Sequence, residues 1–331
     1  MKIKEIIGID VSKMFMDVHL HLRSVSCKFD NDADGIAKML QWSERHSGLK
    51  KEDLFYVFEH TGLYSHQLSW ELTRLKIAYT MQPGLAVKRS LGITRGKDDA
   101  IDAKKLALYG YRLRDELTPC KLADKEIQQL QGLLKLRDRM VKQRSGYKAS
   151  LKEQKSVLDH HQYQLLLDTQ KQLIDQFNEH IKKIETRIRA VINTRTCLKN
   201  VYKLIRSVKG VGPQTAWHFI VFTHGFKRFK TWRQFAAYCG TAPFPYQSGS
   251  SIRGRNKVSH LANKKMKSLL DLCAKSAIQH DGQIKAYYQR KTQQGKAKMS
   301  VINAVRNKII ARVFAVVNRD SPFVDTYKFA A

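Results

Sequence analysis

Short apolar runs and segments of helical periodicity alternate along the first hundred residues of the chain. The apolar runs predict five strands, at Ile3–Asp10, Met14–Leu22, Val25–Phe29, Leu54–Phe58 and Ile77–Met81. Apolar positions spaced by three and four residues predict helices at Ala33–Arg45 and Tyr64–Leu75. Three consecutive strands followed by alternating helices and strands indicate a mixed α/β domain over residues 1–120.

Residues 121–196 have the pattern of two long helices. From 123 to 195 the chain contains no proline and only two glycines. The second half repeats apolar residues in a heptad seam, at Ile174, Phe177, Ile181, Ile184, Ile188 and Val191. The first half offers a matching set, Ile127, Leu130, Leu134 and Val141. This pattern predicts coiled-coil helices, either folded as an antiparallel hairpin within one chain or paired between two protomers.

A turn with two glycines divides two predicted helices in the last part of the chain, residues 197–331, which we expect to be mainly α-helical. The helices are Leu198–Ser207 and Gln214–Phe222, and the arrangement is typical of a helix-hairpin-helix. Gly210 and Gly212 would let backbone N–H groups approach a DNA phosphate, and Lys209 would add a positive charge.

Residues 238–263 interrupt the helical pattern, and we predict a long loop there. A loop of this length in a compact domain is usually functional or disordered. Ser248 precedes a glycine that leaves room for a large substrate. Arg253, Arg255 and Lys257 could neutralise a phosphate that this serine attacks. The alternative is a serine that only hydrogen-bonds its own backbone, and the residues alone favour that interpretation.

Positive charge is concentrated in the second half of the chain. The 331 residues include 60 Lys and Arg against 29 Asp and Glu, a net charge of +31. No acid occurs between Glu185 and Asp271, and from Thr186 onward 28 basic residues face four Asp. Such a block repels itself unless a polyanion neutralises it. Because its basic residues alternate with apolar helical positions, it indicates a folded nucleic-acid-binding domain, to which Lys264 and Lys265 also contribute.

The cysteines and the apolar runs bound the environment of the protein. Five scattered cysteines form no CxxC pair and have no histidine at zinc spacing, so we expect reduced, mostly structural thiols. We expect no signal peptide, because the sequence enters the first strand directly, and no apolar run approaches the roughly 20 residues of a membrane span. We therefore expect a soluble cytoplasmic protein, associated with the nucleoid and without a membrane partner.

Four acids lie at informative positions in the first domain. Asp10 and Glu59 each end an apolar strand, whereas Asp99 and Asp102 are three residues apart and would share one face of a helix. Carboxylates brought together in this way are the ligands that a pair of Mg²⁺ ions needs for phosphoryl transfer. Each acid alone is more often a turn former or a helix cap, so the set of four carries the hypothesis.

Two further acids are rivals for this site. Asp98 lacks the three-residue spacing to Asp102, and Asp17 lies within an alternating strand, where we expect it to be exposed. With the four acids at these places, the order of strands and helices is that of an RNase H-like nuclease fold. This inference is an analogy based on element order, and a fold alone does not give a function.

Several motifs together resemble the insertion sequence 110 family of transposases, the DEDD transposases that include the Piv-type DNA invertases. The resemblance covers nearly the whole chain. The motifs are Gly-Ile-Asp10-Val-Ser-Lys, Glu59-His-Thr-Gly-Leu-Tyr, Lys97-Asp-Asp99-Ala-Ile-Asp102-Ala, the Gly-Val-Gly-Pro turn, and Ala-Ala-Tyr-Cys-Gly-Thr-Ala-Pro followed by Gln-Ser248-Gly. The chain has Asp98 where the family usually has Thr, which leaves Asp99 and Asp102 in register.

The resemblance implies a RuvC-like N-terminal nuclease domain, a coiled coil and a C-terminal transposase domain that supplies a nucleophilic serine. It also implies a structured noncoding RNA, the bridge RNA, that base-pairs with donor and target DNA. The basic block would then hold RNA as well as DNA, and we expect a dimer or tetramer. Ser250 and Ser251 compete with Ser248 on sequence alone, and Ser248 matches the family's Ser-Gly step.

We therefore interpret the chain as a site-specific recombinase with Mg²⁺-bound carboxylates and a serine nucleophile. Two alternatives remain open at this point. One is a metal-dependent nuclease or junction resolvase that uses water and has no serine intermediate. The other is a non-enzymatic architectural protein with a decayed acidic site.

Overall fold

The structure, a computed structural model, describes residues 3–90, 92, 99–159, 161–249 and 251–325, with only the backbone of Ile252 and Arg253. The chain divides into two compact units, residues 1–122 and 123–331. Among the described residues, no helix is both long and apolar enough to cross a membrane. The predicted division into 1–120, 121–196 and 197–331 stays a prediction.

The first unit is a five-stranded mixed sheet flanked by helices. The strands are β1 (Glu5–Val11), β2 (Phe15–Leu20), β3 (Val25–Asp30), β4 (Leu54–Glu59) and β5 (Tyr79–Gln82). The helices are α1 (Ala33–Ser47), α2 (Tyr64–Arg74), α3 (Gly84–Ser90) and α4 (Asp99–Arg112), with a short 3₁₀ turn at Lys51–Asp53. The strand order is β3-β2-β1-β4-β5, in which β1, β2 and β3 are antiparallel neighbours and β4 and β5 run parallel to β1. The predicted mixed α/β domain is confirmed.

Helix α4 packs directly against β1 because two glycines allow close approach. A Cβ atom on Gly8 would lie 2.2 Å from the Ala103 carbonyl oxygen and 2.3 Å from the Ala107 nitrogen. One turn further along the helix, a Cβ on Gly110 would lie 2.8 Å from Cγ2 of Ile6. Residues 6, 8 and 10 share one face of β1, so this packing sets the N-terminal turn of α4 beside Asp10.

The second unit is mainly helical. Its helices are α5 (Lys125–Val157), α6 (Gln164–Asn193), α7 (Thr196–Ser207), α8 (Pro213–Phe222), α9 (Trp232–Tyr238), α10 (Lys264–His280), α11 (Gly282–Gln293) and α12 (Lys298–Asn318). Side chains from α5 to α12 contribute to one apolar core, in which Trp217, Phe219 and Phe235 are almost fully buried. Fully burying side chains of this size stabilises a fold by about 1.5–3 kcal/mol each.

The two long helices α5 and α6 pack antiparallel within the chain. Arg137 binds Glu185 at 2.8 Å, and further along the pair Arg144 donates to Asn178 at 2.8 Å. The Tyr147 and Phe177 rings are 5.9 Å apart. Of the predicted seam, Ile174, Ile181, Ile184, Ile188 and Val191 are buried, as are Ile127, Leu130 and Leu134 on the facing helix. Of the two predicted arrangements, the structure has the hairpin within one chain.

The predicted loop at 238–263 is instead largely a β-hairpin, so that prediction was wrong. Strands β6 (Pro243–Ser248) and β7 (Ile252–Val258) pair antiparallel. Two prolines obscured the strand pattern, but proline is tolerated in an edge strand, and this sheet has only two strands. The turn begins at Gly249, whose φ of +57° suits glycine.

Candidate functional site

Two carboxylates lie side by side at the carboxyl edge of the first unit's sheet. Strands β1 and β4 are parallel neighbours in a register that pairs Ile9 with Phe58. Asp10 and Glu59 are the next residues on each strand, and both are partly buried. Parallel strands end at the same edge of a sheet, so the prediction that both acids end neighbouring strands holds in the structure.

Helix α4 adds the other predicted acids. Its first turn contains Asp99 and Asp102, just before Ala103, which together with Ala107 lies against Gly8 on β1. Asp102 accepts a hydrogen bond from Lys105 at 2.8 Å. The rival Asp98 lies outside the described residues.

A fifth carboxylate belongs to this cluster, contrary to expectation. Asp17 on β2 is the cross-strand partner of Asp10, so both side chains leave the same face of the sheet. That face is covered, and the Asp17 side chain is 14% exposed, with Lys28 at 3.7 Å. The prediction that Asp17 is exposed was wrong, because α4 covers part of β2 as well as β1.

The electrostatics of the cluster follow from this crowding. The pKa of Asp10 is raised to about 6, mainly by burial and in addition by the negative charges of Asp99, Asp102, Glu59 and Asp17. Burial also raises the pKa of Glu59, with a contribution from Asp102 and an opposing one from Lys88. The other three predicted acids therefore act on Asp10 electrostatically, and positive charge beside Asp10 would relieve the repulsion.

Two neutral residues shape this edge, and the sequence pattern did not identify either. The Asn31 amide donates to the Ser12 carbonyl at 2.8 Å and to the Tyr64 carbonyl at 3.1 Å. It thereby ties the segment after Asp10 to the segment after Glu59. Gly84 leaves room for the Glu59 carboxylate, since a Cβ there would be 2.5 Å from Oε2.

The donor set fits a hard divalent cation in its chemistry. Carboxylate oxygens are the ligands that Mg²⁺ uses in proteins, and repulsion among these acids favours a bound cation. Within the described residues, however, no three His, Cys, Asp or Glu side chains are gathered closely enough to enclose a metal ion.

Burial of Asp10, together with the neighbouring negative charges, predicts a pH-dependent stability of the metal-free protein. The folded-state pKa of Asp10 is raised from 3.8 to about 6, so the stability that its proton contributes is present below about pH 4. That stability is lost as the pH rises through 6. Asp10→Asn should therefore raise the melting temperature in chelator at pH 8, and the gain should shrink toward pH 4. The exposed-acid variant Asp115→Asn serves as the control. A less stable Asp10→Asn protein at pH 8 would contradict this account.

The glycine turn of the second unit connects α7 and α8, and its two glycines differ in role. Gly210 has a φ of +85°, and a Cβ there would lie 2.8 Å from the Cys273 carbonyl oxygen, so packing against α10 requires glycine. Gly212, the N-cap of α8, has a φ of −80° and open space around its Cα. Neither conformation nor packing requires glycine at 212, and that face of the turn is open to a ligand.

Ser248 is the last residue of β6 and is exposed at the tip of the hairpin. Its cross-strand partner is Ile252. The next residue is Gly249, where a Cβ atom would have no other atom within 4 Å. The Tyr246 ring lies against Gly254 on the facing strand, where a Cβ would be 2.6 Å from the ring. The hairpin thus presents a serine in an open, paired backbone. Ser250 lies outside the described residues, and Ser251 is exposed in the turn.

The other predicted nucleic-acid contacts have different surroundings. Arg255 and Lys257 are exposed on β7, whereas the side chain of Arg253 lies outside the described part. Lys264 is exposed in the first turn of α10. Lys265 binds Asp138 of α5 at 2.7 Å, and Lys209 forms an ion pair with Asp325. Two of the predicted basic residues are thus bound to carboxylates of the protein itself.

Comparisons with known proteins agree with these features. Residues 7–162 match the profile of the DEDD-type transposases of IS110, described as a transposase, and residues 202–289 match the transposase IS116/IS110/IS902 family. The chain is 28% identical to the pilin gene-inverting proteins of Moraxella bovis and Moraxella lacunata, over 97% of this chain and 98% of each relative. It is 26% identical to an uncharacterized 43.6 kDa protein of insertion element IS110 from Streptomyces coelicolor, over 45% of this chain and 35% of that protein.

Proposed function

Because the chain belongs to the IS110 family of transposases and is a DNA recombination enzyme, we propose that it cuts and rejoins DNA at specific sites of a mobile element. The observation that carries the proposal is the position of Asp10 and Glu59 on neighbouring strands, where the charges of Glu59, Asp99 and Asp102 raise the pKa of Asp10. The strand order and these acids support assigning a RuvC-like, RNase H-like fold to the first unit. The buried heptad positions support a coiled coil for α5 and α6.

We propose that these four carboxylates hold Mg²⁺, as a two-metal site. The bound cation would supply positive charge at the scissile phosphate. The residues of the chain supply the rest: Asp10 and Glu59 are fixed on neighbouring strands, and α4 presents Asp99 and Asp102. Lys105, which binds Asp102, and Lys88, which lowers the pKa of Glu59, balance part of the negative charge.

Ser248 is the proposed nucleophile. Its hydroxyl oxygen would form a bond to the phosphorus and lose its proton, while the ester bond to one DNA end breaks and that end leaves as a hydroxyl. The resulting phosphoserine ester keeps the energy of the broken bond, so that a DNA hydroxyl can reverse the step with a new partner strand. Arg255 and Lys257 on the same hairpin are candidates to neutralise the developing charge.

A metal-dependent nuclease without a serine intermediate is the second candidate function. It is favoured by one observation, since the whole carboxylate set lies within the first unit and needs no serine to bind a cation. Trapped protein–DNA adducts distinguish the two. A covalent adduct that depends on Ser248 selects the recombinase, whereas metal-dependent cutting without an adduct selects the nuclease.

We further propose that a structured noncoding RNA guides the reaction by base pairing with donor and target DNA. The support is the excess of 24 positive charges from Thr186 onward, which favours binding to the phosphate backbone of nucleic acids. A protein that holds RNA in this way recognises backbone shape while pairing reads the sequence.

RNA guidance predicts sensitivity to ribonuclease. Digesting the purified complex with RNase before adding DNA should abolish recombination, and adding back transcript from the noncoding DNA beside the gene should restore it. The measurement is the yield of recombinant junctions. Full activity after complete RNA digestion would show that RNA does not guide the reaction, but it would not contradict the proposed DNA chemistry.

A further inference from the structure

The C-terminal strap (residues 319–325) is folded onto the glycine turn between α7 and α8. Helix α12 ends at Asn318, and the chain reverses at Asp320, which has a φ of +49°. The Ser321 N–H donates a hydrogen bond to the Val316 carbonyl at 3.2 Å, and the Arg319 guanidinium donates to the Pro322 carbonyl at 2.7 Å. These bonds direct the strap back along the second unit.

Phe323 anchors the strap. Its ring packs against the apolar core of the second unit, with the Arg312 guanidinium 4.7 Å from the ring centroid. Its backbone N–H donates to the Ser207 hydroxyl at 2.8 Å, at the end of α7. The strap is therefore held at the turn by both a side-chain and a backbone contact.

Two residues further on, the Asp325 carboxylate forms an ion pair with the Lys209 ammonium. The Asp325 side chain is 18% exposed and the Lys209 side chain 34%. Lys209 is the basic residue of the turn, next to Gly210 and the open face at Gly212. The Asp325 carboxylate is thus paired with the ammonium group that a nucleic-acid phosphate would contact.

Acids are rare in the second half of the chain, which makes the position of Asp325 informative. From Thr186 onward there are only four acids, Asp271, Asp281, Asp320 and Asp325. Asp271 binds Arg306 and Lys275, and Asp281 caps α11 and binds Arg312, so both join elements of the core. Asp325 instead lies on a predicted phosphate contact, in a segment outside any helix or strand.

We propose that the strap is an autoinhibitory element in which Asp325 competes with nucleic-acid phosphate for Lys209. In the absence of nucleic acid the carboxylate neutralises the turn. A phosphate that reaches Lys209 displaces the carboxylate, so binding must release the end of the strap. The inference rests on the proposed function, in which the turn contacts a nucleic-acid backbone.

The test is the affinity of the full-length protein for a fluorescein-labelled duplex of random sequence, measured across a salt series. Asp325→Asn should bind about three- to fivefold more tightly. The slope of its log Kd against log salt should steepen by up to about 0.9, which corresponds to one phosphate contact. Asp320→Asn changes the net charge equally at an exposed position of the same strap, and should stay within about twofold of wild type. Phe323→Ala, which keeps the charge but loosens the anchor, should also bind more tightly.

The double variant separates this inference from the proposed function. Lys209→Gln should weaken binding, and adding Asp325→Asn to it should bring no further gain. If Asp325→Asn and Asp320→Asn bind with equal affinity while Lys209→Gln still binds more weakly, autoinhibition by the strap is wrong. The proposed phosphate contact of Lys209 would then still hold. If Lys209→Gln binds like wild type, the contact itself is wrong. If Asp325→Asn increases the affinity even in the Lys209→Gln background, autoinhibition through Lys209 is also wrong.

Discussion

Replacing Asp10 by Asn should reduce DNA strand cutting by at least about a hundredfold, because losing one carboxylate leaves a two-metal site without a ligand. Glu59→Gln and Asp102→Asn should do the same. The fold should survive all three changes, since each removes negative charge from a crowded cluster in which Asp10 already has a raised pKa. The measurement is the rate of strand scission in Mg²⁺, with the melting temperature recorded in parallel.

The matched control for these variants is Asp98→Ala. Asp98 is adjacent to Asp99 but outside the three-residue pair with Asp102, so its loss should cost much less activity. Omitting Mg²⁺ should reproduce the loss seen in Asp10→Asn. An Asp102→Asn protein that cuts at the wild-type rate would remove that residue from the site.

The carboxylates could be found from the sequence because charge at the end of an apolar strand is unusual. Asp10 and Glu59 follow runs of buried residues, and their parallel register places them side by side. The spacing of Asp99 and Asp102 gave the helical face. The local sequence did not predict that this helix packs against β1. That contact depends on Gly8 and Gly110, which fit against residues far away in sequence.

Asp17 shows why some members of the cluster were missed. An alternating strand predicts that its polar face is exposed, and this holds only when nothing covers that face. Here α4 lies over β1 and part of β2, so Asp17 faces Asp10 in a covered region. Its membership depends on tertiary packing, which strand periodicity does not encode.

The serine hairpin was missed for a different reason. Pro243 and Pro245 interrupt the alternation that would have indicated a strand, although proline at an edge is compatible with pairing. Likewise, the basic residues were found by composition, but their ion pairs were not. Lys209 and Lys265 bind Asp325 and Asp138, partners 116 and 127 residues away.

Ser248→Ala should still bind DNA and RNA but should form no recombinant product. The substitution removes one hydroxyl from an exposed position at the hairpin tip, so it disturbs neither the core nor the turn. Without the hydroxyl no ester with the phosphate can form, and the loss should be complete rather than graded. Recombinant junctions and binding affinity should be measured on the same preparations.

Neighbouring serines provide the controls for this variant. Ser251→Ala and Ser250→Ala should remain active, since neither occupies the Ser-Gly step that ends β6. A dead Ser250→Ala protein beside an active Ser248→Ala protein would shift the nucleophile by two residues. If all three single variants recombine normally, serine chemistry is wrong and the nuclease alternative gains support.

We propose above all that strand cutting passes through a covalent bond between Ser248 and DNA. It is tested most directly by boiling a reaction on end-labelled DNA and separating the products on a denaturing gel, with and without protease. The wild-type protein in Mg²⁺ should give a slowly migrating DNA band that survives boiling and disappears with protease. Both Ser248→Ala and Asp10→Asn should lack it. Cutting by the wild type with no such band, or an undiminished band from Ser248→Ala, would contradict the account.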